Sequence, residues 1–314
     1  MNLLNKRAGY VGIVAAPIVW LTGRPYLLLT FTTLLWASNI VVGRHASTAI
    51  PVGIMSFVRW MVASLILTAL AWRHIRTDWP VIVRNLPWLA MVALTGVAVN
   101  NAVSYYALHY TEAINGSLMS SAGPLFIALW AFLLSRKTPS PAQVAGMCVS
   151  LVGVLTIISR GNIRSLAEVE VNFGDGMFLM SLFVFGAYVA LSTRRPALHP
   201  TTFLAAITGI GALELFPLFI WDLSHGHRMA MTLPNVATLG YIAAFPSAVA
   251  YLCYNRGIEL VGPNNAAAFF HLVPVFGSAL SILFLGERLH PFHIIGYMLV
   301  TAGIFAAGRR VPQP

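Results

Sequence analysis

Ten stretches of about twenty predominantly apolar residues follow one another along this chain, with short polar connections between them. A helix of that length rises about 30 Å, the depth of a bilayer's hydrocarbon core. The stretches cover 25–44, 51–72, 88–107, 113–134, 141–159, 175–193, 201–221, 236–255, 263–285 and 291–308. They are continuous rather than alternating, so they read as helices and not as barrel strands. Proline or glycine stands at many of their ends, as at Pro51, Pro87, Pro141, Gly174, Pro200, Pro234, Pro263 and Pro291. Only 9% of the residues are charged against 58% hydrophobic. A soluble chain could not cover its surface with so few charges, which excludes an ordinary cytoplasmic enzyme, a disulfide scaffold and a disordered chain. Cys148 and Cys253 both lie in apolar runs, so neither a disulfide framework nor a thiolate metal site is readable. The expected fold class is an all-α integral membrane protein with ten transmembrane helices.

Residues 1–24 hold a shorter apolar stretch, Gly9 to Leu21, behind Lys6 and Arg7. It has the look of a signal peptide's apolar region but lacks a small-x-small cleavage site, and it is read as a cytoplasmic N-terminal extension outside the fold. The net charge is +10. With the N-terminus in the cytoplasm, thirteen Lys and Arg fall inside and five outside, while Arg59 lies within a span. The basic excess is therefore membrane topology rather than nucleic-acid binding, with both termini cytoplasmic in a bacterial-type inner membrane. The connection with Arg160 and Arg164 runs against this bias, and also carries Glu168 and Glu170.

Shifted by 150 positions, the second half lies over the first. Asn115 meets Asn265, Pro124 meets Pro274, Pro141 meets Pro291, Gly146 meets Gly296 and Gly153 meets Gly303. Matched prolines and glycines at equal depth point to duplication of a five-helix unit, residues 25–160 and 161–310, with 311–314 as a short cytoplasmic tail. Five is odd, so the second copy enters from the opposite side, giving two inverted repeats as in many secondary transporters.

Two stretches carry a family resemblance. The last two spans run from Pro274 to Gly303 through the turn Gly286-Glu287-Arg288-Leu289, then Pro291 and Gly296. The second span opens Pro51-Val52-Gly53-Ile54-Met55-Ser56-Phe57-Val58-Arg59, and the first contains Trp36-Ala37-Ser38-Asn39. Together they resemble the EamA-type repeat of the drug/metabolite transporter superfamily, over about residues 25–308. The first repeat departs from it, with Ser135-Arg136-Lys137 in place of Leu285-Gly286-Glu287. The resemblance implies a ten-helix carrier with cytoplasmic termini that exports small metabolites, and it brings in the amino-acid exporters, including those for aromatic amino acids.

A carrier needs a site near mid-membrane that faces either side in turn, and polar groups at that depth are costly unless they face a cavity or another helix. Trp36, Asn39, Asn101, Tyr105 and Ser121 in the first repeat are such groups. Asn101 maps onto Tyr251 and Ser121 onto His271, and a shift of 149 brings Asn39 onto Tyr188. These eight residues are the candidate substrate-binding set, on spans one, three, four, six, eight and nine. Each could instead serve helix packing or interfacial anchoring. The lining offers amide, hydroxyl and aromatic surfaces with few charges, which suits amino acids better than phosphates.

Arg59 is the one cation well inside a span. It could bind a substrate carboxylate or tie helices together. Glu214 is the matching lone carboxylate, open to a coupling or a structural role. Glu287 with Arg288 reads as a turn-fixing pair. Pro124 and Pro274 remove backbone hydrogen bonds inside spans four and nine, as paired hinges or static kinks. His271 has no metal-ligating neighbour at helical spacing, so no metal site is expected.

The expected function is secondary transport of small amphipathic metabolites, amino acids foremost, by alternating access in the export direction. The competing readings are a drug or toxic-compound exporter of the same superfamily, an intramembrane enzyme acting on lipid-like substrates, and a channel. No H-E-x-x-H or G-x-S-x-G motif is present to support catalysis, and no G-x-x-x-x-G-K-[ST] run to imply an ATPase. No cofactor is expected. The expected partners are a small-molecule substrate and the lipid bilayer. A single chain suffices for a pathway, which does not fix the oligomeric state.

Overall fold

The structure is a computed structural model that describes residues 23–135, 141–162, 172–261, 266 and 269–308. The extension at 1–22, the Arg136-Lys137 turn, Arg164 with Glu168 and Glu170, and the tail at 311–314 lie outside the described residues. Among the described residues, ten helices follow the ten apolar stretches. They are α1 (Pro25–Ala46), α2 (Val52–Arg84), α3 (Leu86–Ala107), α4 (Ala113–Leu134), α5 (Pro141–Ile158), α6 (Phe173–Ser192), α7 (Pro200–Ser224), α8 (Leu233–Val261), α9 (Phe269–Leu285) and α10 (Pro291–Gly308). Helices satisfy every backbone group internally, the only economical solution for long apolar runs in hydrocarbon. α2 continues twelve residues beyond its apolar run. There the sequence turns amphipathic, Arg76 lies over the Trp72 ring, and His74 stacks on His199 at the start of α7.

The helix pairings obey an exchange of the two halves. α2 packs on α7 and α5 on α10, while α1 packs on α8 and α9 as α6 packs on α3 and α4. Equivalent helices run in opposite directions. On α5 and α10, Gly146 meets Gly303 and Gly153 meets Gly296, so the pair is antiparallel. A Cβ on Gly153 would stand 2.6 Å from the Gly296 carbonyl oxygen. The glycines that match in the repeat thus allow close backbone approach across the axis between the halves. The two five-helix repeats are inverted.

Connections after odd-numbered helices gather at one end of the bundle, here the odd face, and the others at the even face. At the odd face, Arg44 donates to the Leu108 and His109 carbonyls, 2.6 and 3.0 Å away, tying the end of α1 to the end of α3. Helix starts are capped across the repeats. Asp222 at the end of α7 accepts from the backbone N–H groups of Gly53 and Ile54 at the start of α2, at 2.7 and 3.3 Å. Conversely, Asp78 on the extension of α2 accepts from the His199 N–H, 3.0 Å away, just before α7. Glu287 accepts from the Ala113 and Ile114 N–H groups, at 2.9 and 2.7 Å. It therefore caps α4 in the other repeat, in addition to standing in its own turn.

Two departures from regular helix recur at equivalent positions. α3 widens into a π turn over Leu94–Ala98, and α8 does so over Ala243–Val249. α4 tightens into a 3-10 turn at Ser120–Ala122, and α9 at Phe269–His271. Pro124 and Pro274 lie just after those 3-10 turns, where each lacks the N–H of a continuous helix.

Candidate substrate site

Arg59 lies on α2, seven residues past the helix start and 2% exposed. Its Nε donates to Ser247 Oγ at 2.5 Å, and Nη1 donates to Asn101 Oδ1 at 3.0 Å and to the Tyr105 hydroxyl. Tyr105 in turn donates to Asn39 Oδ1 at 2.8 Å. One guanidinium thus joins α1, α2, α3 and α8.

The π turns set this geometry. Each adds a residue to its turn and rotates the helical segment beyond it. In α3 the Asn101 amide donates back to the Val97 carbonyl at 2.9 Å, which aims Oδ1 at Arg59. In α8 Ser247 Oγ donates to the Ile242 carbonyl at 2.7 Å and accepts from Arg59. Every side-chain partner of Arg59 is neutral, and among the described residues its Nη2 donates to no protein group. The indole Nε1 of neighbouring Trp60, also buried, has no acceptor among them.

Towards the even face lies an aromatic layer. Trp60 meets Tyr251 edge-on at 5.6 Å, and Tyr251 meets Trp36 at 6.0 Å. Trp36 also meets Tyr254 at 5.0 Å and Phe270 at 5.2 Å. Phe185 links Phe270 to Tyr188, whose ring lies on Gly96 in the α3 π turn, where a Cβ would collide with it. Towards the odd face lies a cavity of about 1180 Å³. It is walled by residues 47–52, by Ala102, Val103, Tyr106 and His109 of α3 and its corner, by Met177, and by the end of α7 with Asp222 and His227. Ala102 in this lining follows Asn101 in the chain. From odd face to even face the order is cavity, guanidinium layer, aromatic layer.

Of the eight candidate residues, Asn39, Asn101 and Tyr105 meet around Arg59, and Trp36, Tyr251 and Tyr188 belong to the aromatic layer. Ser121 and His271 fall outside both layers. Ser121 Oγ donates to the Leu118 carbonyl within its own helix. The His271 ring stacks on Phe305 of α10, and its carbonyl accepts from Tyr297. Glu214 sits half-buried on α7 between the exposed Leu213 and Phe216, its Oε2 without a partner among the described residues. Sequence reasoning missed Ser247, Trp60, Tyr254 and Phe270. A serine in an apolar helix carries little signal, whereas Phe269-Phe270 beside Pro274 was a readable aromatic cluster.

The model of the EamA-like transporter family matches residues 23–159 and again 172–309, one match over each set of five helices. The chain belongs to the EamA-like transporter family. This EamA-like chain is 25% identical over 288 residues to an uncharacterized transporter of Archaeoglobus fulgidus, covering 91% of this chain and 97% of the relative. It is also 25% identical to a probable terminal-alkyne amino-acid exporter of Streptantibioticus cattleyicolor, covering 90% and 92%. An inner membrane transporter of Salmonella typhimurium, YicL, is 19% identical over 90% of this chain and 94% of its own. A crystal structure matches with a TM-score of 0.58 at 17% identity, covering 90% of this chain and 95% of that one, which is a likeness of fold. The EamA-like chain is a multi-pass membrane transporter.

Proposed function

We propose that this transporter exports small amphipathic carboxylates, amino acids foremost and aromatic ones among them, across the inner membrane by alternating access. The observation that carries the reading is the buried Arg59 guanidinium with neutral partners only. A buried cation without a carboxylate is unstable unless something completes it, and a substrate carboxylate does so. Nη2 and Trp60 Nε1 are the donors left to receive it. The rings of Trp36, Tyr251, Tyr254 and Phe270 then offer an apolar bed for the side chain and a face for an ammonium group. That one relative is named a probable amino-acid exporter agrees with this.

With the termini cytoplasmic, as the charge bias favours, the odd face is external. The cavity then opens outward while the aromatic layer closes the cytoplasmic side. Pro124 and Pro274 serve as hinges of the opposite arrangement. The protein acts as a carrier and not as an enzyme.

The test is counterflow in proteoliposomes with labelled phenylalanine, leucine and their carboxamides. The amino acids should exchange chemically unchanged, and the amides, which lack the carboxylate, should not. Equal exchange of acid and amide would remove Arg59 from the site. Chemical conversion of the solute would replace the carrier with an enzyme.

A further inference from the structure

A second buried polar cluster lies at the odd face, apart from the guanidinium layer. Asp175, in the first turn of α6, is wholly buried. Its Oδ1 accepts from the Thr111 hydroxyl and, at 3.5 Å, from the Asn115 amide. Its Oδ2 is buried and has no partner among the described residues. Asn115 Oδ1 pairs with His293 Nε2 at 2.9 Å, while His293 Nδ1 accepts from the His290 backbone N–H at 3.1 Å. The proton of this imidazole therefore sits on Nε2, and the ring is neutral. Thr111 and Asn115 belong to the first repeat, Asp175 and His293 to the second.

Among the described residues, the charged and titratable groups around Asp175 supply no ion pair. Arg160 at the end of α5 and Glu112 before α4 act on it through space with opposite sign, and neither bonds to it. His293 comes from α10 and His290 from the turn before it, His109 and Tyr110 from the α3 corner, and Glu287 is engaged by the N-terminus of α4. A carboxyl with one oxygen dry and unbonded is tolerated as the neutral acid and penalised as the anion.

Its place in the wall gives this a mechanical meaning. The start of α6 is fused to the end of α3. Gly174 touches the Ala107 carbonyl and the Thr111 N–H, where a Cβ would stand at 2.8 Å, and Asn172 donates to the Tyr110 carbonyl at 2.8 Å. That unit carries Tyr106, His109 and Met177, which line the odd-face cavity. Within that unit Thr111 holds Asp175, which is tied from behind to α4 through Asn115 and, by way of His293, to α10.

We propose that the Asp175–Thr111–Asn115–His293 cluster is a proton-binding latch holding the α3–α6 wall back, so that acid on the odd face favours the arrangement with the cavity open there. The latch rests on the alternating-access reading. A proton on Asp175 completes the neutral cluster. Its loss to the odd-face solution leaves a carboxylate that needs water, and the wall comes away and closes the cavity.

The test is a pair of spin labels across the cavity mouth, at Thr48 and Tyr106, in the full-length protein with Cys148 and Cys253 replaced by serine. Raising the pH should convert the long distance to a short one, the population ratio changing at most about tenfold per pH unit for one proton. Asp175→Asn, which cannot titrate, should hold the long distance at every pH. Thr111→Val and His293→Gln keep the acid but weaken the latch, and should move the midpoint to lower pH. An Asp175→Asn protein with the wild-type pH response overturns the proposal, as does a wild-type distance that ignores pH. Should Asp175→Asn not fold, unmoved midpoints in the other two variants overturn it. Counterflow is measured alongside. Lost amino-acid exchange with an intact pH response would count against the substrate assignment alone.

Discussion

The two repeats share their backbone devices and differ in what they place on them. Each has a π turn in its third helix and a 3-10 turn before a proline in its fourth. The first repeat supplies most of the polar groups, Asn39, Asn101 and Tyr105 around Arg59, and two of the rings, Trp36 and Trp60. The second supplies most of the rings, Tyr251, Tyr254 and Phe270 with Tyr188 and Phe185, and one polar partner of Arg59, Ser247. Just beyond the π turns, the positions matched by the 150-residue shift are Asn101 in one copy and Tyr251 in the other. Duplication kept the bends, and the side chains diverged until the frame held a polar layer beside a layer of rings. On the function proposed above, that asymmetry would orient an amphipathic solute, whichever face is open.

Breaking the polar end should cost most. Arg59→Gln keeps hydrogen-bonding capacity and removes the charge. Amino-acid affinity should fall about 100-fold, roughly 2.7 kcal/mol, for aromatic and aliphatic solutes alike. Equilibrium binding to detergent-purified protein reads this directly, and an unchanged affinity would make Arg59 a helix tie.

The shared devices come next. Pro124→Ala and Pro274→Ala each offer back a helical N–H, and exchange should slow about tenfold, on the order of 1.4 kcal/mol in the switching barrier, with binding retained. Because the repeats are inverted, two-sided accessibility should show the two variants biased towards opposite faces. Wild-type exchange in both would leave the prolines as packing features.

At the apolar end, Tyr251→Leu removes an aromatic contact while keeping bulk. Affinity for phenylalanine should drop about fivefold, in keeping with the ~1 kcal/mol of an aromatic pair, with little change for leucine. An equal loss for both solutes would argue against the aromatic layer as a bed for the side chain. The smallest effect should follow Glu287→Gln, which weakens the cap on α4. Thermal stability should fall by about 1 kcal/mol with counterflow intact.

Much of the frame was legible in the sequence because a bilayer imposes length and apolarity on each span, and because duplication left Pro124 on Pro274 and Gly146 on Gly296. Arg59 was legible as a lone cation at depth. Its partners were partly so, since Asn101 and Tyr105 are polar residues in an apolar span. The π turns were not, because they are settled by packing, as where Tyr188 presses on Gly96. Nor was the work of Asp175, Asp222 and Glu287. Each stands at a span end, where acidic residues are ordinary, and each acts on a segment from 60 to more than 170 residues away. His271 is the reverse case. It is polar and matched in the repeat, yet its ring is turned to Phe305 by the tightened turn it ends.

The caps exchanged between α2 and α7 bear on how the molecule is made. The first amides of α2 bond to Asp222, 169 residues further along the chain. At a synthesis rate of about 5–20 residues per second, roughly 8–34 s separate the appearance of Gly53 from that of its acceptor. During that interval α2 enters the bilayer with its leading end uncapped, and water at the membrane surface must serve those amides. The first repeat is therefore an unfinished object when it leaves the ribosome, and the native contact of its second helix waits for the seventh. Truncation after α5 would yield five inserted helices whose second member still lacks its terminal acceptor.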